Sequence, residues 1–312
     1  MEISRRTMIA GAAASIVAAP AIAKVKAATG GSWYDRSIII DGLGGMSDPY
    51  GPDDQLRLSD RAWAEMVGTG VTLLRDTVFP VGNVADPWGD YQKDIVAKSN
   101  ILNANPDRLL LVRSAADILK AKREKKFAWL WGTQDSSMVS ADLDRLAQLK
   151  KDGVLTVQLT YNNANLAGDG SLEPRNGGLT KLGKATIERI EAEKLLLDLA
   201  HGGARTMAEA AAFAKRPLVI SHTGARALAD HPRNTADDTI KAVADKGGVV
   251  GVYIMPFLTL DSHPKGSDLI AHIEHGRQRP IIGADPDMVL SSDIGDMLDM
   301  VEQHGTRRVR VL

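Results

Sequence analysis

Nine short apolar runs recur along the chain, separated by segments in which apolar residues follow helical spacing. The runs cover residues 37–43, 71–77, 109–114, 127–133, 154–161, 195–201, 218–222, 248–254 and 288–293. They are continuous stretches rich in Val, Ile and Leu, which is typical of parallel strands that are buried on both faces. Repeated strand–helix units predict a parallel sheet, either closed into a barrel or open and doubly wound.

Chain length and missing motifs favour the closed form. About 285 residues remain after an N-terminal leader is removed, which suits a barrel of typically about 250 residues with one or two insertions. No Gly-x-Gly-x-x-Gly follows the first run, and no phosphate-binding Gly-x-x-x-x-Gly-Lys-Ser/Thr occurs anywhere. No Ser- or Pro-rich linker divides the chain. We therefore predict a single α/β domain over residues 29–312, a (β/α)8 TIM barrel, with one of the nine runs outside the barrel.

Residues 1–28 are interpreted as a twin-arginine-type signal peptide. Arg5 and Arg6 stand directly before an uncharged stretch, and Ala21-Ile22-Ala23 forms an A-x-A cleavage site. That stretch is shorter than the roughly 20 apolar residues that span a bilayer, although a membrane-anchored N-terminal helix is the alternative interpretation. Export by this route predicts a periplasmic protein with no membrane span once the signal is removed.

The net charge and the absence of cysteine limit the partners and the catalytic groups that the protein can have. Lys and Arg number 38 against 39 Asp and Glu, so the net charge is −1, and we expect no nucleic-acid partner. Cysteine is absent, which excludes disulfides, thiolate metal ligands and a cysteine nucleophile. Any metal must be held by carboxylates and by the seven histidines.

Polar residues fall where the predicted strands end, which is where a barrel places its catalytic groups. These residues are Asp41, Asp76, Gln134, Asp135, Tyr161, Asn162, His201, His222 and Asp293. His201 and His222 close successive strands, and neighbouring strands lie about 4.8 Å apart, so both imidazoles could bind one metal ion. The alternative is that each is an ordinary buried histidine.

Arg233 lies in a loop just after the strand that ends at His222. A guanidinium there can bind a substrate carboxylate through two parallel N–H donors. Pairing with Asp237 or Asp238, which would only fix the loop, is equally compatible with the spacing.

Five blocks resemble the membrane dipeptidase family, the renal-type, zinc-dependent dipeptidases with an amidohydrolase-like TIM barrel. The blocks are residues 159–170, 178–184, 198–201, 221–228 and 231–252, and the similarity runs from about Ser37 to Asp293. The resemblance implies hydrolysis of a dipeptide or a similar small amide at a two-metal site. It further implies that a metal-bound hydroxide attacks the carbonyl.

The resemblance assigns roles to individual positions. His201 and His222 match the two histidines that hold one metal, and Arg233 matches the arginine that binds the substrate carboxylate. Asp293 resembles the aspartate that binds the other metal and handles the proton of the attacking water, so it is the predicted catalytic residue. Tyr161 stands where the family places a substrate-contacting His, and Tyr161 and Asn162 are predicted to bind substrate.

Two parts of the family pattern are altered in this chain, as in a divergent branch. The first strand of the family ends in His-x-Asp, but Leu43-Gly44-Gly45 occupies that position, and Gln134 replaces the bridging Glu. A neutral amide is a poorer zinc ligand than a carboxylate. We therefore expect one Zn2+ ion, bound by His201 and His222 with Gln134, Asp293 or Asp76 as a third ligand.

Two functional classes follow from this pattern. The first is a metal-dependent dipeptidase-like hydrolase that works with one ion. The second is a barrel that has lost its chemistry and serves as a periplasmic small-ligand binding or scaffold protein. Family members commonly form homodimers, and they continue further past the last strand than residues 294–312 do here. We therefore also expect a homodimer, and a barrel shortened at its C-terminus.

Overall fold

The computed structural model describes Tyr34, residues 37–277 and the backbone of residues 309–311. The predicted signal peptide, the ninth apolar run with Asp293, and all of residues 278–308 lie outside the described residues. The strands are β1 Ile38–Gly44, β2 Leu73–Val78, β3 Leu109–Leu111, β4 Phe127–Thr133, β5 Val154–Gln158, β6 Leu196–Asp198, β7 Val219–Thr223, β8 Val249–Val252 and β9 Val309–Val311.

Helices connect these strands in the alternation that the sequence predicts. They are α1 Asp60–Gly68, α2 Pro87–Ala104, α3 Ala115–Glu124, α4 Asp144–Asp152, α5 Lys181–Ala192, α6 Ala204–Phe213, α7 Asp237–Ala244 and α8 Gly266–Arg277. Local signals explain where several begin and end. Thr180 caps α5 by accepting from the Gly183 N–H, and Gly153 ends α4 with a φ of 107°, a left-handed conformation that glycine adopts without strain. No helix among the described residues is both long enough and apolar enough to cross a bilayer.

The described strands form one parallel sheet in the order β8-β7-β6-β5-β4-β2-β1-β9. Seven of them, β1, β2 and β4 to β8, make a nearly closed barrel, and β9 extends the sheet beside β1. The short β3 pairs only with the first residues of β4, whereas β5 pairs with β4 from Trp131 onward. Of the eight predicted runs that fall on described residues, β3 is therefore the one that lies outside the barrel wall. The fold is the TIM-barrel type that the sequence predicts.

Strand alternation sends successive side chains to opposite faces of the sheet. The face toward the helices carries the larger core, including Trp129 and Trp131, whose rings meet edge to face at 5.4 Å. The inner face is apolar near the strand beginnings, where Leu73, Ala128 and Leu130 belong to a second core cluster. Burial of these residues holds the barrel together, since each large apolar side chain contributes about 1.5–3 kcal/mol.

Toward the strand ends the inner face becomes polar. Arg75 in β2, Asp198 in β6 and Ser221 in β7 occupy the layer above the apolar one, and Arg75 and Asp198 are almost completely buried. Gly132 in β4 makes room for this layer, because a Cβ there would lie 2.7 Å from the Arg75 Nε atom. The barrel therefore supports its mouth with buried charge rather than with apolar packing alone.

Candidate active site

His201 and His222 lie side by side at the mouth of the barrel, where β6 and β7 end. Their ring centroids are 4.7 Å apart and the ring planes are inclined by 65°. Both residues are buried. Relative to β8, the register of β7 shifts between Ile220 and Thr223, and the consecutive residues Ser221 and His222 both contribute side chains to this region. A register shift next to a site is a common way to redirect side chains.

His201 sits in a tight turn after β6 with a φ of 62°. This left-handed conformation is uncommon for a residue with a side chain and is often found at functional positions. The Ser171 N–H donates to the His201 carbonyl oxygen at 2.8 Å, and the His201 Nδ1 atom lies 2.8 Å from the Asn162 Oδ1 atom. The Tyr161 ring stacks on the imidazole at 4.1 Å. Tyr161 and Asn162 therefore fix the orientation of His201.

His222 is held from below by the polar layer of the barrel. Its Nδ1 atom lies 2.8 Å from the Ser221 Oγ atom, and the Ser221 hydroxyl donates to the Asp198 Oδ2 atom at 2.5 Å. The same carboxylate oxygen lies 3.6 Å from the Arg75 Nη2 atom. The Asp198 Oδ1 atom accepts from the Ala200 and Ser221 N–H groups, each at 3.0 Å.

Gln134 follows β4 and reaches His222 from the opposite side. The Thr77 hydroxyl donates to the Gln134 Oε1 atom at 2.8 Å, and this contact turns the amide nitrogen toward His222. The Gln134 Nε2 atom lies 3.5 Å from the His222 Nε2 atom. In this arrangement Gln134 presents a hydrogen-bond donor to the ring, whereas its ligand role predicted from the sequence needs the amide oxygen there.

Arg233 is buried beside the two histidines, and its guanidinium faces aromatic groups. Its Nη2 atom donates to the Tyr253 hydroxyl oxygen at 3.3 Å, and its central carbon lies 5.8 Å from the Phe257 ring centroid. The Tyr253 ring in turn meets His222 edge to face at 5.2 Å. Among the described residues no carboxylate forms an ion pair with Arg233, so the pairing with Asp237 or Asp238 that the spacing allowed is absent there.

The site is electropositive around two neutral rings. Burial is the largest cause that holds the pKa of His201 and His222 well below the usual histidine range, and Arg233 and Arg75 lower both values further. Burial also lowers the pKa of the Arg233 guanidinium and raises the pKa of Tyr253 to about 12. Both imidazoles are therefore neutral at physiological pH, which is the form that binds a metal ion.

Asp76 does not take part in the site, contrary to its suggested role as a third ligand. Its Oδ2 atom binds Lys98 at 2.7 Å and the Trp129 indole nitrogen at 3.0 Å. Arg75 precedes it in β2 and points into the barrel, so strand alternation directs Asp76 to the helix layer. Asp135 is likewise engaged: its Oδ1 atom accepts from the Ser136 N–H at 2.7 Å and from the Asn165 side chain at 2.7 Å.

The chain is similar to known dipeptidases and to a solved amidohydrolase. The family model for the membrane dipeptidases, peptidase family M19, matches residues 89–297. The chain belongs to the membrane dipeptidase family. A solved amidohydrolase from Pseudomonas aeruginosa is 30% identical with a TM-score of 0.71, over 84% of this chain and 75% of that one.

Two further similar proteins differ in the share of their length that this chain covers. The dipeptidase verJ of Clonostachys rogersoniana is 26% identical over 211 residues, which are 65% of this chain but only 54% of that protein. The chain thus spans about half the length of that relative. A metallopeptidase from Rhodobacter sphaeroides, solved with a phosphinate mimic of the dipeptide L-Ala-D-Ala, has a TM-score of 0.69 over 87% of this chain and 94% of that one. At 16% identity it shows the shared fold.

Membership of the membrane dipeptidase family implies a metal, and the described residues fit part of a metal site. Each ring at the mouth anchors its Nδ1 atom on a polar partner, which leaves Nε2 as the ligand atom and fixes the ring orientation. No three His, Asp or Glu side chains in the part of the chain that the structure describes are grouped closely enough to bind an ion. The described donor set is therefore two imidazoles and one neutral amide.

The two glycines at the end of β1 have different surroundings. A Cβ on Gly44 would lie 2.2 Å from the Leu74 Cδ1 atom, whereas a Cβ on Gly45 would meet nothing within 4 Å. The Leu43 N–H donates to the Asp41 Oδ1 atom at 3.0 Å, and burial raises the pKa of this Asp41 carboxyl. By the resemblance described above, Leu43 and Gly45 stand at the two ligand positions, and the space beside Gly45 is open.

Several supporting residues were missed by the sequence analysis. Ser221, Asp198 and Arg75 lie inside apolar runs that predict buried strands, and a polar residue within such a run was itself a signal. Thr77 and Tyr253 likewise sit at or just after strand ends, in the position where polar groups were expected. Asp293 falls outside the described residues, and its catalytic role stays a prediction.

Proposed function

We propose that the protein is a metal-dependent hydrolase of dipeptides or similar small amides that binds one zinc ion at His201 and His222. One observation carries the proposal. Two neutral imidazoles and a buried guanidinium that has no carboxylate partner among the described residues share one barrel mouth. The imidazoles suit a divalent cation, and the guanidinium suits the carboxylate that every free dipeptide carries. Gln134 or Asp293 would supply the third ligand.

Arg233 sets the orientation of the substrate. Its present bond to the Tyr253 hydroxyl is long at 3.3 Å, so a carboxylate that makes two short, charge-assisted bonds can replace it. The scissile amide then lies over the His201–His222 pair, because the Tyr253 ring that touches Arg233 also touches His222. The solved relative from Rhodobacter sphaeroides, which holds a phosphinate mimic of L-Ala-D-Ala, supports a substrate of this size.

The remaining residues of the mouth would position the substrate and accept the proton of the attacking water. A bound zinc ion would lower the pKa of its water and polarise the amide carbonyl. Tyr161, stacked on His201, forms one wall next to the substrate. Asp293 is proposed to accept the proton of the attacking water, a role carried by its family position. Asp293 would then donate that proton to the leaving amine.

Metal analysis and a dipeptide panel test the proposal. Purified protein should contain about one equivalent of zinc and should cleave members of a panel that includes L-Ala-L-Ala and L-Ala-D-Ala. His201→Ala and His222→Ala should each abolish zinc binding and turnover. His275→Ala is the matched control, since that imidazole contacts Asp237, and it should keep both. Zinc content that survives both site substitutions would contradict the ligand assignment.

A binding or scaffold protein is the second candidate. It is favoured by the Gln134 amide, which satisfies His222 without any ion, and by the two imidazoles that lack a carboxylate co-ligand among the described residues. Such a protein would be free of zinc, would cleave no member of the panel, and would bind a dipeptide in calorimetry through Arg233. Arg233→Ala would then remove binding.

We also propose that the protein is exported to the periplasm by its twin-arginine-type segment and forms a homodimer. Arg5-Arg6 and the A-x-A site support the export proposal, and the resemblance to a family that commonly dimerises supports the second. Fractionation of cells that carry Arg5→Lys/Arg6→Lys tests the first, since the protein should then stay in the cytoplasm. Light scattering of the purified protein tests the second by its mass.

A further inference from the structure

The two histidines at the mouth have different supports. His201 rests on Asn162, a neutral amide that also accepts from the Ser171 hydroxyl at 3.1 Å. His222 rests on Ser221, which leads to the buried pair of Asp198 and Arg75. The second support reaches across β7, β6 and β2, and the family resemblance described above assigns no role to Ser221, Asp198 or Arg75.

Donor and acceptor chemistry fixes the direction of each bond beneath His222. Asp198 lies beside Arg75 and accepts two backbone N–H groups, an environment that suits a carboxylate, and a carboxylate can only accept. The Ser221 hydroxyl therefore donates to Asp198, and its oxygen is left to accept. The 2.8 Å contact between this oxygen and the His222 Nδ1 atom then requires the proton to sit on Nδ1.

The hydrogen bonds on the Nε2 side of the His222 ring run in the same direction. With its proton on Nδ1, the His222 Nε2 atom carries a lone pair, and the Gln134 amide N–H is the group that faces it at 3.5 Å. The Thr77 hydroxyl donates to the other end of that amide. Every donor from Thr77 through Gln134, His222 and Ser221 thus points toward Asp198, and bonds aligned in one direction polarise one another.

We infer that Asp198 and Ser221 are positioning residues that hold His222 in its Nδ1–H tautomer and so present an unprotonated Nε2 atom to the barrel mouth. Gln134 caps this lone pair until a cation takes its place. The inference concerns the site of the proposed hydrolase, but the tautomer exists whether or not zinc binds. It can therefore be tested on the metal-free protein.

Ser221→Ala separates this role from a structural one. Asp198 keeps both backbone donors in that variant, because the Ser221 N–H, and not its hydroxyl, binds the Oδ1 atom. Only the bond between the hydroxyl and Oδ2, and with it the acceptor for His222, is removed. Ser221→Thr keeps the hydroxyl and is the conservative rescue. Asn162→Ala is the matched variant for His201, whose Nδ1 atom binds Asn162.

Nitrogen NMR of 15N-histidine-labelled, metal-free protein reads the tautomer directly. At about pH 8, above the ordinary histidine pKa of about 6.5, long-range 1H–15N spectra separate protonated from unprotonated ring nitrogens. His201→Gln and His222→Gln assign the two signals. Wild-type His222 should show a protonated Nδ1 and an unprotonated Nε2. Ser221→Ala should reduce that preference about tenfold, the effect of losing one bond of a charge-backed chain, and Ser221→Thr should restore it.

Each of the two substitutions, Ser221→Ala and Asn162→Ala, should affect one histidine and not the other. Ser221→Ala should leave the His201 signals in place, and Asn162→Ala should change His201 while sparing His222. Zinc affinity, where zinc binds, should fall about 10- to 100-fold in Ser221→Ala, as is typical when the partner of a metal-binding histidine is removed. A wild-type His222 that carries its proton on Nε2 would overturn the inference, as would His222 signals that are the same in Ser221→Ala. The expected tautomer in a protein that binds no zinc would leave the inference standing and refute the hydrolase.

Discussion

The two sides of the barrel mouth are built on different physical principles. On the β6–β7 side, His222 is supported through Ser221 by the buried ion pair of Asp198 and Arg75. On the β2–β4 side, the Gln134 side chain accepts a neutral hydrogen bond from Thr77 and faces the neutral His222 ring. The support of His222 thus includes buried charge, with Arg75 contributed by β2, in a low-dielectric interior where interactions are strong. The Gln134 side chain, in contrast, contacts neutral groups.

This difference indicates that the residue at position 134 can change while the support beneath His222 stays intact. A carboxylate at position 134 would carry negative charge to the mouth, and it could accept from the Thr77 hydroxyl as the Gln134 amide oxygen does. The supports of the two rings come from elsewhere, from Asn162 and from Asp198, and Gln134 meets His222 at its Nε2 atom. The following predictions test how separate the two sides are.

Removal of the buried cation should have the largest effect. Arg75→Met leaves the Asp198 carboxylate without its ion-pair partner in the barrel interior. We expect a loss of about 3 kcal/mol in the free energy of unfolding, since breaking a buried pair on one side is strongly destabilising. Urea denaturation followed by circular dichroism measures this loss.

The double variant Arg75→Met/Asp198→Asn supplies the control for that experiment. With both charges gone, no uncompensated carboxylate stays buried, and part of the stability should return. An Arg75→Met protein as stable as the wild type would show that the ion pair contributes nothing to the β6–β7 side. The contrast between the two sides would then disappear.

The loss of the Arg233 side chain should have the next largest effect, which falls on the use of substrate. Arg233→Ala removes a charge-assisted contact worth about 1.5–3 kcal/mol, which corresponds to a decrease of about 10- to 150-fold in kcat/KM. Arg233→Lys keeps the charge but loses the planar pair of donors, so it should fall between Ala and wild type. Steady-state kinetics with a dipeptide and with its C-terminal amide separates the two cases. The amide should be a poor substrate of every form, and an equal loss for both substrates would refute the carboxylate contact.

Gln134→Glu tests whether the β2–β4 side can regain a charge. A carboxylate at this position should raise zinc affinity about tenfold, because about 1.4 kcal/mol is a modest share of the attraction between opposite charges at this range. Competition with a zinc chelator measures the change. Gln134→Ala should not strengthen binding, and equal affinities for the Glu and Gln forms would place position 134 outside the reach of the ion.

The barrel and the histidine pair could be predicted because each depends on one-dimensional patterns. Continuous apolar runs specify strands buried on both faces, and eight of the nine predicted runs correspond to described strands. His201 and His222 could be placed together because both lie at the ends of consecutive parallel strands. The supporting groups could not be foreseen in the same way, since Ser221, Asp198 and Arg75 belong to three strands and only strand register brings them together.

The orientation of Gln134 illustrates the same limit. The sequence shows an amide at a ligand position, but which end of the amide faces the mouth depends on the Thr77 hydroxyl, 57 residues earlier in the chain. A residue type predicts the available atoms, and only the contact with Thr77 determines which atom is presented. The contrast between the two sides could therefore be described only from the structure.

Thr77→Val should have the smallest effect and is the most specific test of that contact. Valine has a similar shape but no hydroxyl, so the Gln134 Oε1 atom loses its donor and the amide can turn over. We expect a loss of about 1 kcal/mol in the free energy of unfolding. We also expect the free amide oxygen to face the ion in a zinc-bound form, so that zinc affinity stays equal or rises. Thr133→Val is the control, because no described group binds that neighbouring buried hydroxyl. A fall in zinc affinity in Thr77→Val alone would mean that the fixed amide N–H, and not its oxygen, assists the ion, and the two sides of the mouth would then act together.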